Sequence, residues 1–231
     1  MISHKHKCIY IHIPKAAGTS IENTFMEDLG LDMNNRHALI IGKNTNKTLG
    51  PRRVSHLLAR EYVQQHFISQ ELFDSYFKFA FVRNPYDRLY STYKYRKFSD
   101  YISFDSFIKF KLEKFINSET ESFFFKTQYD YLHDSSKCLV DFTGRFENLE
   151  DDFNLVLKKL KLTQLRLKHH NKSFPSKGII RKLRIIGKII KDYETWPYLK
   201  MNGSDKILSL EAKKIVLKYY QKDFETFGYE K

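Results

Sequence analysis

Lys15 stands in the stretch KCIYIHIPKAAGTSIENTF, between an apolar run and the start of a helical pattern. Cys8 to Ile13 read as a buried strand, Pro14 to Gly18 as a tight turn, and the chain from Thr19 to Leu29 as an amphipathic helix. A phosphate loop of the G-x-x-x-x-G-K-[ST] kind would carry its lysine directly after Gly18. Here that position is Thr19, Ile13 replaces the first glycine, and the lysine has moved back to Lys15. The first amides of the helix and its dipole favour an anion. Gly18 lets backbone approach closely, and Thr19 and Ser20 add hydroxyl donors. Lys15, ahead of the turn, can reach a bridging oxygen between two anionic groups, where charge develops when an anhydride breaks.

A second loop, FVRNPYDRLYSTY, puts Arg83 at the end of another buried strand and Ser91 two turns into the next helix. An arginine fork plus a hydroxyl suits a phosphate monoester. Arg88 reads as a surface or helix-packing charge. His56, in RRVSHLLAREY, sits at a helix start, where a solvated histidine is the plain reading. Neutral imidazole near pH 7 is also matched to taking a proton from a hydroxyl. His12 reads as a core or supporting residue. Cys8 and Cys138 read as small buried residues, since two thiols make neither a disulfide framework nor a metal-ligand pattern.

The elements that must position these groups follow in order. After the first strand and helix comes a polar surface loop, DMNNRHALIIGKNTNKTLGPRR. Ser55 is expected to cap a helix through about Phe67, and Ser69 a short one through Asp74. YFKFAFV is a second buried strand, and Pro85 suits the first turn of the helix after it. Aromatic-rich helices are expected over Phe104 to Ile116 and Phe123 to Leu132. KCLVDFTGRF supplies one or two short strands, Leu149 to Leu160 a helix, and Asp205 to Phe224 the last helix. Strands alternating with helices predict an α/β fold, with a central, mostly parallel sheet flanked by helices in three layers. Ligands in such sheets sit beyond the carboxyl ends of the strands, where both loops lie.

The 231 residues are expected to form a single domain, 1–231, with an extended basic segment at about 174–204. At 42% hydrophobic and 16% aromatic, the chain has too much core material to be disordered. Forty Lys and Arg against 27 acids give +13, which favours a polyanionic partner without choosing one. No apolar stretch approaches a membrane span, and MISHKHKC does not read as a signal peptide.

HIPKAAGTS, FKFAFVRNPYDRLYSTY, QYDYLHD, LVDFTGRFENLEDDFNLVLKKL, NKS at 171–173 and YYQKDFETFGYE, in this order, resemble sulfotransferase family 2. These are carbohydrate sulfotransferases related to heparan sulfate 2-O-sulfotransferase and to bacterial glycan enzymes. The resemblance implies a P-loop-like fold and transfer of a sulfuryl group from PAPS (3′-phosphoadenosine 5′-phosphosulfate) to a carbohydrate hydroxyl, leaving PAP. It assigns Lys15 to the leaving phosphate and His56 to the acceptor proton. Ala17, Gly18, Thr19 and Ser20 would cradle the 5′-phosphosulfate, and Arg83 and Ser91 the 3′-phosphate. Lys172 and Ser173 of NKS would join the cofactor side, with His169 and His170 nearby. No metal is demanded. Arg145 and Glu147, in GRFENL, take their simplest role as structural, with cofactor contact the alternative.

The acceptor is expected to be a carbohydrate, with acidic and lipid-linked glycans both open, and neither nucleic acid nor a transmembrane segment is expected. Localisation is expected to be cytoplasmic, with peripheral contact at the inner membrane surface open. That contact would use GIIRKLRIIGKII, where Ile179, Leu183, Ile186 and Ile190 share a helical face beside Arg181 and Lys182; the alternative is that the same segment lines the acceptor groove. Two other functions compete with sulfuryl transfer. One is a P-loop kinase or NTPase, with Asp141 as its Walker B residue; the other is a non-catalytic basic protein binding nucleotide or membrane.

Overall fold

The computed structural model describes residues 1–32, 34–42, 54–167, 187 and 206–231. Its contacts divide into two compact units, Met1–Asn84 with Lys126–His170, and Pro85–Phe125 with Asn171–Lys231.

The first unit is built on a four-stranded sheet, β1 (Ile2–Ser3), β2 (Cys8–Ile11), β3 (Phe77–Val82) and β6 (Phe142–Arg145), in that order. β1 runs antiparallel to β2, while β2, β3 and β6 are parallel, with Tyr10 opposite Phe79 and Phe81 opposite Gly144. Alternation along the strands sends Cys8, Tyr10, Phe79 and Phe81 to one face. There they pack with Ile21 and Phe25 of α1 (Gly18–Asp28) and Phe153, Val156 and Leu157 of α8 (Leu149–Lys159). Ile9, Ile11, Ala80 and Val82, on the opposite face, are also buried, as expected of a parallel sheet covered on both sides. Gly144 has no side chain because Phe81 lies across it: a Cβ there would stand 2.5 Å from the ring. A two-stranded hairpin, β4 (His133–Asp134) and β5 (Lys137–Cys138), completes the strands described.

The α/β architecture with a mostly parallel sheet is as expected, and several boundaries differ. β2 stops at Ile11, because the chain bends at once and the Ile13 amide donates to the Ile11 carbonyl. No helix starts at Ser55. Its hydroxyl accepts instead from the Gly42 amide at 2.6 Å, and only a 3-10 turn, Val54–His56, forms there. The short α2 (Glu61–Gln64) follows, with Glu61 reaching back to the Leu58 amide at 2.7 Å. Ser69 does cap α3 (Gln70–Ser75). The segment expected as a helix from Phe123 is a 3-10 turn, Ser122–Phe124, followed by α7 (Gln128–Leu132), which Thr127 caps. Cys8 is buried, whereas Cys138 on the hairpin is exposed, against expectation.

The second unit is aromatic. α4 (Pro85–Tyr95), α5 (Phe104–Phe110), α6 (Leu112–Ile116) and the last helix, Leu210–Phe227, gather Tyr93, Phe104, Phe107, Phe125, Tyr220 and Phe224 into one core. Lys111, with φ −125°, breaks the single helix expected over Phe104 to Ile116. Arg88 is fully buried rather than at the surface, with its guanidinium 5.7 Å from the Tyr220 ring. Among the described residues no helix is long and apolar enough to cross a membrane. The basic stretch 178–190 falls outside the described residues apart from Gly187.

Candidate active site

Three loops leave the carboxyl ends of β2, β3 and β6, and because these strands are parallel the loops lie at one edge of the sheet. The first carries Lys15 and Ala17, both at positive φ, 68° and 69°. Ala17 is the left-handed N-cap of α1 and gives no side-chain cap, and no acidic residue stands in the first turn. A left-handed residue followed by helical ones turns successive amides into a concavity that suits an anion. Thr19 is exposed on that first turn and Ser20 is buried.

Gly18 packs beside His12. A Cβ on it would lie 1.8 Å from Nε2 of His12, so the absent side chain makes room for that imidazole. His12 Nδ1 is 2.7 Å from Glu22 Oε1, and both residues are buried. The His12 ring stands edge-to-face on His56, centroids 4.4 Å apart. His56 Nδ1 lies 3.2 Å from the His12 carbonyl oxygen, which can only accept. The proton of neutral His56 is therefore on Nδ1 and the basic lone pair on Nε2.

Arg83 follows β3. Its guanidinium carbon lies over the Phe146 ring, 4.0 Å from the centroid, and Nη1 donates to the Lys15 carbonyl at 3.3 Å. The Lys15 ammonium is pushed below its usual pKa, first by burial and then by the Arg83 charge. Arg83 thus meets the loop of Lys15 that leads into α1. Buried Gln128 clamps the Arg83 backbone from both sides, its Oε1 accepting from the amide and its Nε2 donating to the carbonyl, each at 2.8 Å. Glu147 Oε1 accepts from the Asn84 amide at 2.7 Å.

The first unit thus gathers Lys15, Ala17, Gly18, Thr19, Ser20, His56 and Arg83. Ser91 is on α4 in the second unit, and Lys172, Ser173, His169 and His170 lie outside the described residues. Asp141 stands at the amino end of β6, where it accepts from the Lys78 amide at 2.7 Å and pairs with the Lys78 ammonium at 3.1 Å. That end is opposite the three loops, so Asp141 cannot serve them as a Walker B residue.

A family model described as "Sulfotransferase family" matches residues 1–230. The chain belongs to the sulfotransferase family. An uncharacterized protein of Archaeoglobus fulgidus is 34% identical over 99 residues, which are 42% of this chain and 78% of that protein. Carbohydrate sulfotransferase 11 of Rattus norvegicus and that of Mus musculus are each 24% identical over 196 residues, 68% of this chain and 51% of theirs. The chain matches about half the length of these two relatives. No solved structure matches it. Membership in the family supports a transferase. Sequence reading missed Gln128 and Glu22. The signal for Glu22 was its place on α1, which turns its carboxylate toward the end of β2, but that needs the packing of α1 to be read.

Proposed function

We propose that this sulfotransferase moves a sulfuryl group from PAPS to a hydroxyl of a carbohydrate, releasing PAP. The observation that carries the reading is that Arg83 donates to the Lys15 carbonyl in the loop that leads into the uncapped start of α1, in the same unit as a histidine whose Nε2 is the basic nitrogen. That donor set fits a nucleotide with phosphates at two positions: amides and an ammonium for one, an aromatic-backed guanidinium for the other. PAPS would supply the sulfuryl group and a phosphate leaving group. Ala17, Gly18, Thr19 and Ser20 hold the 5′ end, through the amides of the first three and the hydroxyls of Thr19 and Ser20, since the Ser20 amide already donates to the Ala17 carbonyl, and Lys15 neutralises charge growing on the bridging oxygen. Arg83, with Ser91 as its expected companion, holds the 3′-phosphate, and Lys172 and Ser173 complete the nucleotide side. His56 Nε2 accepts the acceptor hydroxyl's proton as that oxygen attacks. A carbohydrate acceptor is supported by the names of the two mammalian relatives and by the net charge, which suits an acidic glycan.

The deciding experiment is transfer of labelled sulfate from PAPS across a panel of glycans, with PAP binding measured alongside. Label on a glycan, abolished by His56→Ala while PAP still binds, is the expected result. PAP binding without transfer to any hydroxyl would favour a non-catalytic nucleotide-binding protein. Magnesium-dependent ATP hydrolysis without PAP binding would restore the kinase reading.

A further inference from the structure

We infer that His12, held by Glu22, is the positioning residue for His56, and that position 18 is glycine to admit the His12 ring. The inference rests on the proposed sulfuryl transfer for what His56 does, and on geometry alone for the rest.

Glu22 and His12 are 6% and 7% exposed. A carboxylate taken out of water is costly unless it is paired, and an apolar residue of similar size would avoid the cost. What the carboxylate does here is specific. It accepts from His12 Nδ1 at 2.7 Å, which fixes the ring's rotation and its tautomer. The fixed ring then meets two groups. One is His56, whose ring it contacts at an interplanar angle of 73°. The other is the first residue of α1, where a Gly18 Cβ would fall 1.8, 2.1 and 2.3 Å from Nε2, Cδ2 and Cε1 of the ring. The backbone carbonyl of His12 accepts the His56 Nδ1 proton at 3.2 Å. His12 thus sets both the plane and the tautomer of the base. It does so from a ring seated on the helix start that is proposed to cradle the leaving phosphate. Base and cradle are held in register by one imidazole, and misplacing such a group by about 1 Å can cost about 100-fold in rate.

Two measurements test this. In the first, Glu22→Ala should lower kcat by about 100-fold while the Kd for PAP stays within about twofold, and Glu22→Gln, whose amide oxygen can accept the same bond, should recover most of the rate. A kcat unchanged in Glu22→Ala, or kcat and PAP affinity falling together, would overturn the positioning role. In the second, Gly18→Ala is placed in wild-type and His12→Ala backgrounds, and read by PAP affinity and by the urea midpoint. The substitution should cost about tenfold in PAP affinity alone and less than about twofold where His12 is already gone. Equal losses in both backgrounds would show that position 18 is glycine for the phosphate, not for the ring. His12→Asn replaces His12→Ala if the latter does not fold. A wild-type protein that binds no PAP would sink the sulfuryl-transfer reading, and the urea cycle would still decide the Gly18–His12 packing.

Discussion

Lys15 is held below its usual pKa of 10.5 by burial and, after that, by the neighbouring Arg83. The sign of the consequence follows. Between the folded pKa and 10.5 the unfolded chain holds the extra proton, so this group's contribution makes stability rise with pH across that window. Below the folded pKa both states are charged, and the strain of holding the charge is fully present. A bound polyanion reverses the shift by favouring the ammonium. PAP affinity should therefore fall as pH climbs through the folded pKa of Lys15, and calorimetric titration over a pH series would show it. Lys15→Met should bind more weakly and lack that limb. Arg83→Ala should move the limb to higher pH, because the second cause of the shift is gone. It should also cost roughly 1.5–3 kcal/mol of PAP binding and shrink the preference over AMP, which lacks the 3′-phosphate. If both nucleotides weakened equally and the limb stayed in place, Arg83 would be a loop anchor only.

Elements with one strong local signal were legible. The apolar run of β3, the serine cap of α3 and the proline start of α4 all appear where pattern alone put them, and β2 does so except for its last two residues. Those that failed depend on partners distant in sequence. Ser55 was a good cap by type, but the Gly42 amide had claimed its hydroxyl. The clamp on Arg83 was illegible for the same reason, since Gln128 lies 45 residues away and only the packing of α7 against β3 brings it close. That clamp has a testable cost. Gln128→Ala would leave a half-buried amide and carbonyl without their side-chain partner, a loss of about 1 kcal/mol in urea unfolding. PAP affinity should fall with it, because the Arg83 backbone is freed. In the second unit, Tyr220 donates to the Phe125 carbonyl at 2.6 Å from a kink in the last helix. Tyr220→Phe should cost about 1 kcal/mol there and leave PAP affinity unchanged. A Gln128→Ala protein with wild-type stability would mean that water takes over the amide's role.

Composition at the scale of the whole chain foretold a substantial core, but not how that core divides. The aromatic residues form one cluster on the sheet of the first unit and another among the helices of the second. The two cysteines offer a probe of the first of these. Both belong to the first unit, yet burial pushes the Cys8 thiol up to about 12, while Cys138 sits exposed on the hairpin. Thiol reagents attack the thiolate, so Cys8 is protected twice, by its pKa and by the sheet around it. Native protein should give up one thiol promptly to an aromatic disulfide reagent, and the second only as the sheet opens. If that opening also dismantles the start of α1, PAP at 100 times its Kd should slow Cys8 labelling by about 100-fold, since the ligand binds only the closed form. Cys138 should label at the same rate with and without PAP. Prompt labelling of both thiols would show that β2 is open to solvent in the native state. Slow Cys8 labelling that PAP does not change would place the opening at β1 and β2, with the phosphate cradle left intact.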